Sequence, residues 1–107
     1  MSAMLDNFKK MIGTERENHL LHYSIGNEYL KASEFDLAEE HLRTAVTLDP
    51  KYSAGWKLLG KTLSAAEKFQ QAVEVFTQGI SVAESKGDIQ AAKEMKVFLK
   101  RASKQLE

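Results

Sequence analysis

The sequence predicts an all-α fold, in which antiparallel helical hairpins stack side by side as a short α-solenoid. The first observation is an internal repeat of 34 residues, because the segment from His22 to Gly26 is answered by the segment from Trp56 to Gly60. The second is the recurrence of apolar residues every three or four positions, which marks one face of a helix. A repeat of this length is typical of paired helices that bury their apolar faces only against a neighbouring copy.

Start and stop signals give the order of the helices. Thr14 and Glu17 form a Thr-x-x-Glu pattern, which predicts a capping box at the start of the first repeat helix. Asp49 is expected to cap the third repeat helix, with Pro50 at its first position, where proline is favoured. We therefore expect two hairpins within residues 14–86, as repeats of about 19–52 and 53–86.

Residues 87–107 are predicted to form a C-terminal capping helix. Gly87 ends the preceding helix and Asp88 can cap the next one. The apolar stripe of this helix consists of Ile89, Ala92, Met95, Leu99, Ala102 and Leu106. Its lysines, which are expected on the outer face, are Lys93, Lys96, Lys100 and Lys104. Two repeats are fewer than the three that stable stacks usually need, so this helix is expected to supply part of the missing burial.

Residues 1–13 form a short amphipathic segment that ends at Gly13. Its apolar residues at helical spacing are Met4, Leu5, Phe8, Met11 and Ile12. Such a short helix is not stable alone, and three placements remain open. The segment can cover the first repeat of its own chain, lie in the groove of the repeats, or pair with a second copy of the chain to form a homodimer.

Composition excludes several classes of protein. The chain has no cysteine, and its fifteen basic and fifteen acidic residues cancel, so there is no disulfide framework and no overall attraction for nucleic acid. Its apolar runs are far shorter than the roughly 20 residues of a membrane span, and the acidic Asp6 is unlike the start of a signal peptide. We expect a cytoplasmic protein with no membrane association.

The two halves of the chain differ in charge. Residues 1–50 carry five Lys or Arg and nine Asp or Glu, a net charge of −4, whereas residues 51–107 carry ten and six, a net charge of +4. The molecule is therefore expected to be electrically polar along its stacking axis. Solvated helix faces explain this pattern, and so does a head-to-tail contact or an acidic partner at the C-terminal end.

Small residues at fixed positions carry a resemblance to a known family. Gly26 and Ala38 in the first repeat, with Gly60 and Ala72 in the second, resemble the tetratricopeptide repeat (TPR) family. The match is to a small bacterial-type protein of two repeats with a C-terminal capping helix. The resemblance implies a right-handed solenoid in which these small residues let paired helices approach closely. The chain departs from the family pattern at His22, where tryptophan is favoured, at Gly79, where alanine is favoured, and at Glu84, where proline is favoured.

The resemblance also implies where a partner binds, because in this family the first helix of each repeat faces the groove. The candidate partner-binding residues are Leu20, Tyr23, Asn27, Leu30, Lys31, Ala54, Lys57, Lys61 and Ser64. Lys57 and Lys61 lie one helical turn apart, so they suit an acidic peptide or a carboxylate that relieves their repulsion, although two solvated lysines are the simpler interpretation. Trp56 is expected to pack between helices and not to anchor a ligand.

Members of the family that clamp a chaperone's C-terminal carboxylates use two asparagines and three basic residues. Only Asn27 matches that set, because the other places hold Tyr23, Leu58, Asp88 and Ala92. That class of partner is therefore not expected.

Other chemistry is weakly supported by the sequence. His19, His22 and His41 suggest a metal site only weakly, because His19 and His22 have no acidic or thiolate companion at ligand spacing on the same helix face, so we expect no metal site and no cofactor. There is no phosphate-binding glycine loop, Gly-x-Ser-x-Gly turn or His-Glu-x-x-His pair, so an enzyme is not expected.

The favoured function is an adaptor that binds a peptide segment of a partner protein in a concave groove. The alternatives are a self-associating structural module and, less favoured, an anion or nucleic-acid binder.

Overall fold

The computed structural model describes residues 2–107, and within that range the chain forms six α-helices and no β-strand. The helices are α1 (Ala3–Lys9), α2 (His19–Lys31), α3 (Phe35–Leu48), α4 (Ser53–Ala65), α5 (Phe69–Lys86) and α6 (Ile89–Lys104). Helices α2 and α3 form one hairpin, α4 and α5 form the second, and α3 packs against α4. The predicted all-α stack of two hairpins is confirmed. No helix among residues 2–107 is long and apolar enough to cross a membrane.

The two hairpins turn in the same way. Ser33 and Glu67 both have left-handed backbone conformations, with φ of 59° and 61°. In each turn the amide of the next residue donates to a carbonyl oxygen five residues earlier, at 2.9 and 2.8 Å. This bond satisfies a carbonyl that the helix end would otherwise leave free. The 34-residue period therefore extends to the backbone of the turns.

Small residues allow the helices of each hairpin to touch, as the family resemblance implies. A Cβ atom built on Gly26 would lie 2.6 Å from Leu42 Cγ, and one on Gly60 would lie 2.6 Å from Phe76 Cζ. Real Cβ contacts are longer, so any larger residue at either position requires a neighbour to move. Ala38 and Ala72 are completely buried.

The start of α2 differs from the prediction. Asn18 caps this helix, since its side-chain oxygen accepts a hydrogen bond from the amide of Leu21 at 2.9 Å. The prediction of a capping box formed by Thr14 and Glu17 was wrong. The Glu17 carboxylate instead accepts a hydrogen bond of 2.9 Å from the amide of Gly13 and also contacts His22. The helix consequently begins five residues after Thr14.

The start of α4 also differs from the prediction. Asp49 accepts a hydrogen bond from the amide of Lys51 at 3.1 Å, in a turn that contains Pro50. Helix α4 begins only at Ser53, so the prediction that Asp49 caps it was wrong. An aspartate side chain that bonds to the backbone two residues later favours a turn over a helix start.

Helix α1 covers the first repeat of its own chain. Leu5 is only 2% exposed, and Phe8 and Met11 pack partly against the core. Ser2 donates a hydrogen bond to Glu28 near the end of α2, whereas the segment after α1 lies near the start of α2. The helix therefore runs antiparallel to α2. Of the three placements left open by the sequence, the structure shows the one in which the segment covers the first repeat of its own chain.

Helix α6 packs against α5 and α4. A Cβ atom on Gly79 would lie 2.6 Å from Met95 Sδ and 2.8 Å from Trp56 Cβ, so this departure from the family pattern makes room for α6. Trp56 packs between helices as expected. The predicted apolar stripe is wrong at its two ends, because Ile89 is 64% exposed and Leu106 is 49% exposed.

Candidate partner-binding surface

Helices α2, α4 and α6 lie side by side with α4 in the middle. Ser53, the first residue of α4, donates a hydrogen bond of 2.7 Å to Asp88, which also caps α6 through the amide of Ala91. This joint aligns the starts of α4 and α6. We call the exposed and half-buried side chains of these three helices on their common side the first-helix surface.

The predicted site residues all lie on α2 or α4 of this surface. Three of them are exposed, namely Leu20, Lys31 and Lys61. The other six are half-buried, namely Tyr23, Asn27, Leu30, Ala54, Lys57 and Ser64. Leu30 and Tyr23 also pack against the hydrophobic core. These two side chains therefore have a structural role in addition to the predicted one.

The surroundings of Lys57 and Lys61 differ from the prediction, because α6 places a carboxylate beside Lys57. Lys57 Nζ lies 3.2 Å from Glu94 Oε1, whereas Lys61 Nζ lies 5.6 Å from the centroid of the Phe98 ring. Lys57 is therefore neutralised within the chain, and no external anion is required to relieve its repulsion with Lys61. Sequence reasoning missed Glu94 because it treated α6 only as a cap.

Lys31, at the end of α2, also has an acidic neighbour. Its Nζ lies 3.0 Å from Glu28 Oε2. The hydrogen bond from Lys31 lowers the pKa of the Glu28 carboxyl, with a smaller contribution from Ser2. The two residues are one turn apart and the Lys31 side chain is exposed, so the contribution of the pair to stability is small.

An aromatic cluster extends the surface beyond the predicted residues. The Tyr52 ring contacts His19 and Tyr23 edge to face, with centroid distances of 4.9 and 5.2 Å. Burial raises the pKa of Tyr52, and the neighbouring Tyr23 and Asp49 raise it further. The repeat pattern gave no signal for Tyr52, because its equivalent in the first repeat is the polar Asn18.

A cleft opens between α4 and α6 at the other end of the surface. It has a volume of about 230 Å³ and is lined by Lys61, Ser64, Phe76, Phe98 and Arg101. Two of these residues belong to the predicted site, whereas Phe98 and Arg101 were missed. Phe98 and Arg101 are three residues apart, so they lie on the same face of one helix, and this spacing could have indicated that they act together.

A polar chain centred on the buried His22 lies on the side of α2 that faces α3. His22 Nε2 lies 2.7 Å from Glu17 Oε2, and His22 Nδ1 lies 3.0 Å from His41 Nδ1. Glu17 belongs to the loop before α2 and not to the face of the helix, so spacing along the helix gave no sign of this contact. The bond with His22 lowers the pKa of Glu17, and burial lowers the pKa of His41.

These histidines have structural partners. The His41 ring stacks on Tyr29 as well as on His22. Among residues 2–107, no group of three or more potential ligand side chains is placed to hold a metal ion. The polar chain instead fixes the loop before α2 to the first hairpin.

Comparison with known proteins identifies the family. Residues 19–52 match the tetratricopeptide repeat. The TPR repeat-containing protein PA0015 of Pseudomonas aeruginosa is 45% identical to this chain over 98 residues, which cover 92% of this chain and 93% of that protein. The chain belongs to the tetratricopeptide repeat family.

Solved structures agree with this assignment. Protein BPP2914 from Bordetella parapertussis superposes on this TPR protein with a TM-score of 0.84 at 37% identity, covering 98% of this chain and 91% of that one. The TPR2B domain of yeast Sti1, solved in a complex with pHsp70, superposes with a TM-score of 0.87 at 17% identity, covering 94% and 81%. The second likeness concerns the fold alone. This TPR protein therefore has the architecture of a protein–protein interaction module.

Proposed function

We propose that this TPR protein is an adaptor that binds a segment of a partner protein across the first-helix surface, without any chemical step. Stacked helical repeats use the surface formed by equivalent helices of successive repeats as an extended binding face. Here that face comprises α2, α4 and α6, and the aligned starts of α4 and α6 make it continuous.

The observation that carries the proposal is the combination of groups on this surface. Leu20 is 49% exposed beside the aromatic cluster around Tyr52, and Lys61 and Arg101 stand at the opposite end, over the Phe98 ring. Aromatic side chains and arginine are the groups that most often dominate protein interfaces. The cations favour a partner segment that carries acidic residues.

Affinity capture with three forms of the protein tests the proposal. The wild type is compared with a variant that combines Tyr23→Ala and Lys61→Glu, and with a control that carries Lys93→Glu on the outer face of α6. Partners identified by mass spectrometry are expected with the wild type and the control, and to be lost from the double variant. Retention of the same partners by the double variant would show that they bind elsewhere.

Self-association through the N-terminal segment is the alternative. Its apolar side chains Leu5, Phe8 and Met11 already pack against their own chain, which leaves Met4 and Ile12 exposed. These two side chains offer a small apolar area, whereas stable interfaces usually bury about 800 Å² on each partner. We therefore favour binding of a different protein.

A further inference from the structure

The cleft between α4 and α6 has an apolar floor and a basic rim. Its floor is formed by Phe76, which is completely buried, and Phe98, which is half-buried, with ring centroids 5.8 Å apart. On the rim, Lys61 Nζ and Arg101 Cζ lie 5.6 and 5.9 Å from the centroid of the Phe98 ring. Both cations are exposed.

The two rim cations differ from their neighbours on the same surface. Lys31 and Lys57 have carboxylates of their own chain at 3.0 and 3.2 Å. In the described range, 2–107, no carboxylate oxygen lies within 4.0 Å of Lys61 or Arg101. Both cations therefore lie over the Phe98 ring without an ion-pair partner at that distance, and a bound acidic group would find two donors in place.

The volume of the cleft limits what can enter it. At about 230 Å³ it is smaller than the roughly 300–1,000 Å³ of pockets that enclose whole small molecules. A single side chain of a larger partner fits such a cleft better than a complete ligand. Its aromatic floor favours an aliphatic or aromatic side chain.

We propose that this cleft anchors one aliphatic or aromatic side chain of a partner segment, while Lys61 and Arg101 bind a carboxylate one or two residues away. The spacing fits, because an extended chain advances about 3.3–3.6 Å per residue, and the cations lie 5.6 and 5.9 Å from the centre of the ring. This inference rests on the proposed function and adds to it the sequence chemistry of the partner.

Selection from a phage-displayed library of random dodecapeptides tests the inference. Peptides that bind the wild type are expected to be enriched in Phe, Leu or Trp with Asp or Glu one or two positions away. The affinity of the best selected peptide is then measured by fluorescence polarisation against three variants. The first is Lys61→Glu with Arg101→Glu, the second is Ser64→Leu, and the control is Lys93→Glu with Lys104→Glu.

The control changes the net charge by the same amount as the first variant, through two lysines on the outer face of α6 that are exposed. We expect the first variant to bind at least about tenfold more weakly, because each rim charge becomes repulsive to the acid. Filling the cleft by Ser64→Leu should weaken binding severalfold, and the control should bind within about twofold of the wild type. Circular dichroism of each variant verifies that the helices remain intact.

Several results would overturn the inference. Selected peptides that bind all variants equally but lose affinity on Tyr23→Ala would place the contact elsewhere on the first-helix surface, so the proposed function would stand and the cleft would not. If the control and the first variant lose affinity for the peptide equally, the loss reflects the net charge of the protein and not the cleft. Binding of 3-phenylpropionate as tight as that of the peptide would assign a small-molecule site. Failure to select any peptide would count against both proposals.

Discussion

Replacing Gly60 by alanine measures how closely the helices of the second hairpin approach. The added Cβ atom would lie 2.6 Å from both Cδ1 and Cζ of Phe76, whose side chain is completely buried. Overpacking of this kind costs roughly 1–3 kcal/mol, and we expect the upper end because a fully buried ring has no free space to enter. Alanine regains about 1 kcal/mol of helix propensity.

The net result is a loss of about 2 kcal/mol in the free energy of unfolding, obtained as the difference between these two effects. For a domain of about 100 residues, each kcal/mol shifts the melting temperature by roughly 4 °C, so we expect Gly60→Ala to melt about 8 °C below the wild type by differential scanning calorimetry.

Gly55→Ala is the matched control on the same helix. Its Cβ atom would lie 3.0 Å from a Tyr52 ring carbon and from a Val46 methyl group, which small shifts can relieve. Propensity should then dominate, so this variant is expected to melt at or above the wild-type temperature. If Gly60→Ala melts as high as Gly55→Ala, the close packing of the helices described above is incorrect.

Three further predictions concern the turns, the polar chain of Glu17, His22 and His41, and the surface lysines. Glu67→Gly should raise stability by about 0.5–1 kcal/mol in urea unfolding, because glycine adopts the left-handed conformation of this turn without strain; an unchanged midpoint would contradict it. Stability should fall as pH drops below about 6.5, since the lowered pKa of His41 means that the unfolded chain takes up protons that the folded chain does not. Stability should fall further below pH 4.5, the ordinary pKa of a glutamate. Folding lowers the pKa of Glu17, so below that pH the unfolded chain takes up a proton that the folded chain does not. His41→Gln should flatten the first of these slopes, and an identical urea midpoint at pH 7 and pH 5.5 in the wild type would refute the assignment. Glu94→Gln should release Lys57 and strengthen binding of the selected acidic peptide two- to fivefold by fluorescence polarisation, an order expected for a partly exposed ion pair; weaker binding would show that Glu94 itself contacts the peptide.

The repeat pattern was sufficient to predict the two hairpins, because helix packing depends on the size of a few side chains. Gly26 and Ala38 recur 34 residues later as Gly60 and Ala72, and all four lie at close contacts or in the core. The position of α1 was open because its burial depends on a complementary surface on α2, which no local pattern describes.

Helix starts and much of the candidate site were less predictable. Both Thr14 with Glu17 and Asp49 with Pro50 fit the preferences for a helix start, yet tertiary contacts and a local turn use these side chains differently. The cleft was missed for a related reason, since Phe98 and Arg101 contribute to it only when α6 lies beside α4. That arrangement is set by Gly79, Met95 and the joint between Ser53 and Asp88.

Under the proposed function, the lysine-covered outer side of α6 determines how long a stretch of a partner this protein binds. Another helix placed there would have to bury the ammonium groups of residues such as Lys93 and Lys100, which are exposed, and burying an unpaired charge is strongly unfavourable. The proposed binding surface is then confined to three adjacent helices, whose axes at about 8–10 Å spacing span roughly 20 Å. An extended segment crosses that distance in about six residues. Affinity should therefore depend on one or two anchoring side chains, and linking two binding segments in one partner would strengthen binding by raising the effective concentration of the second.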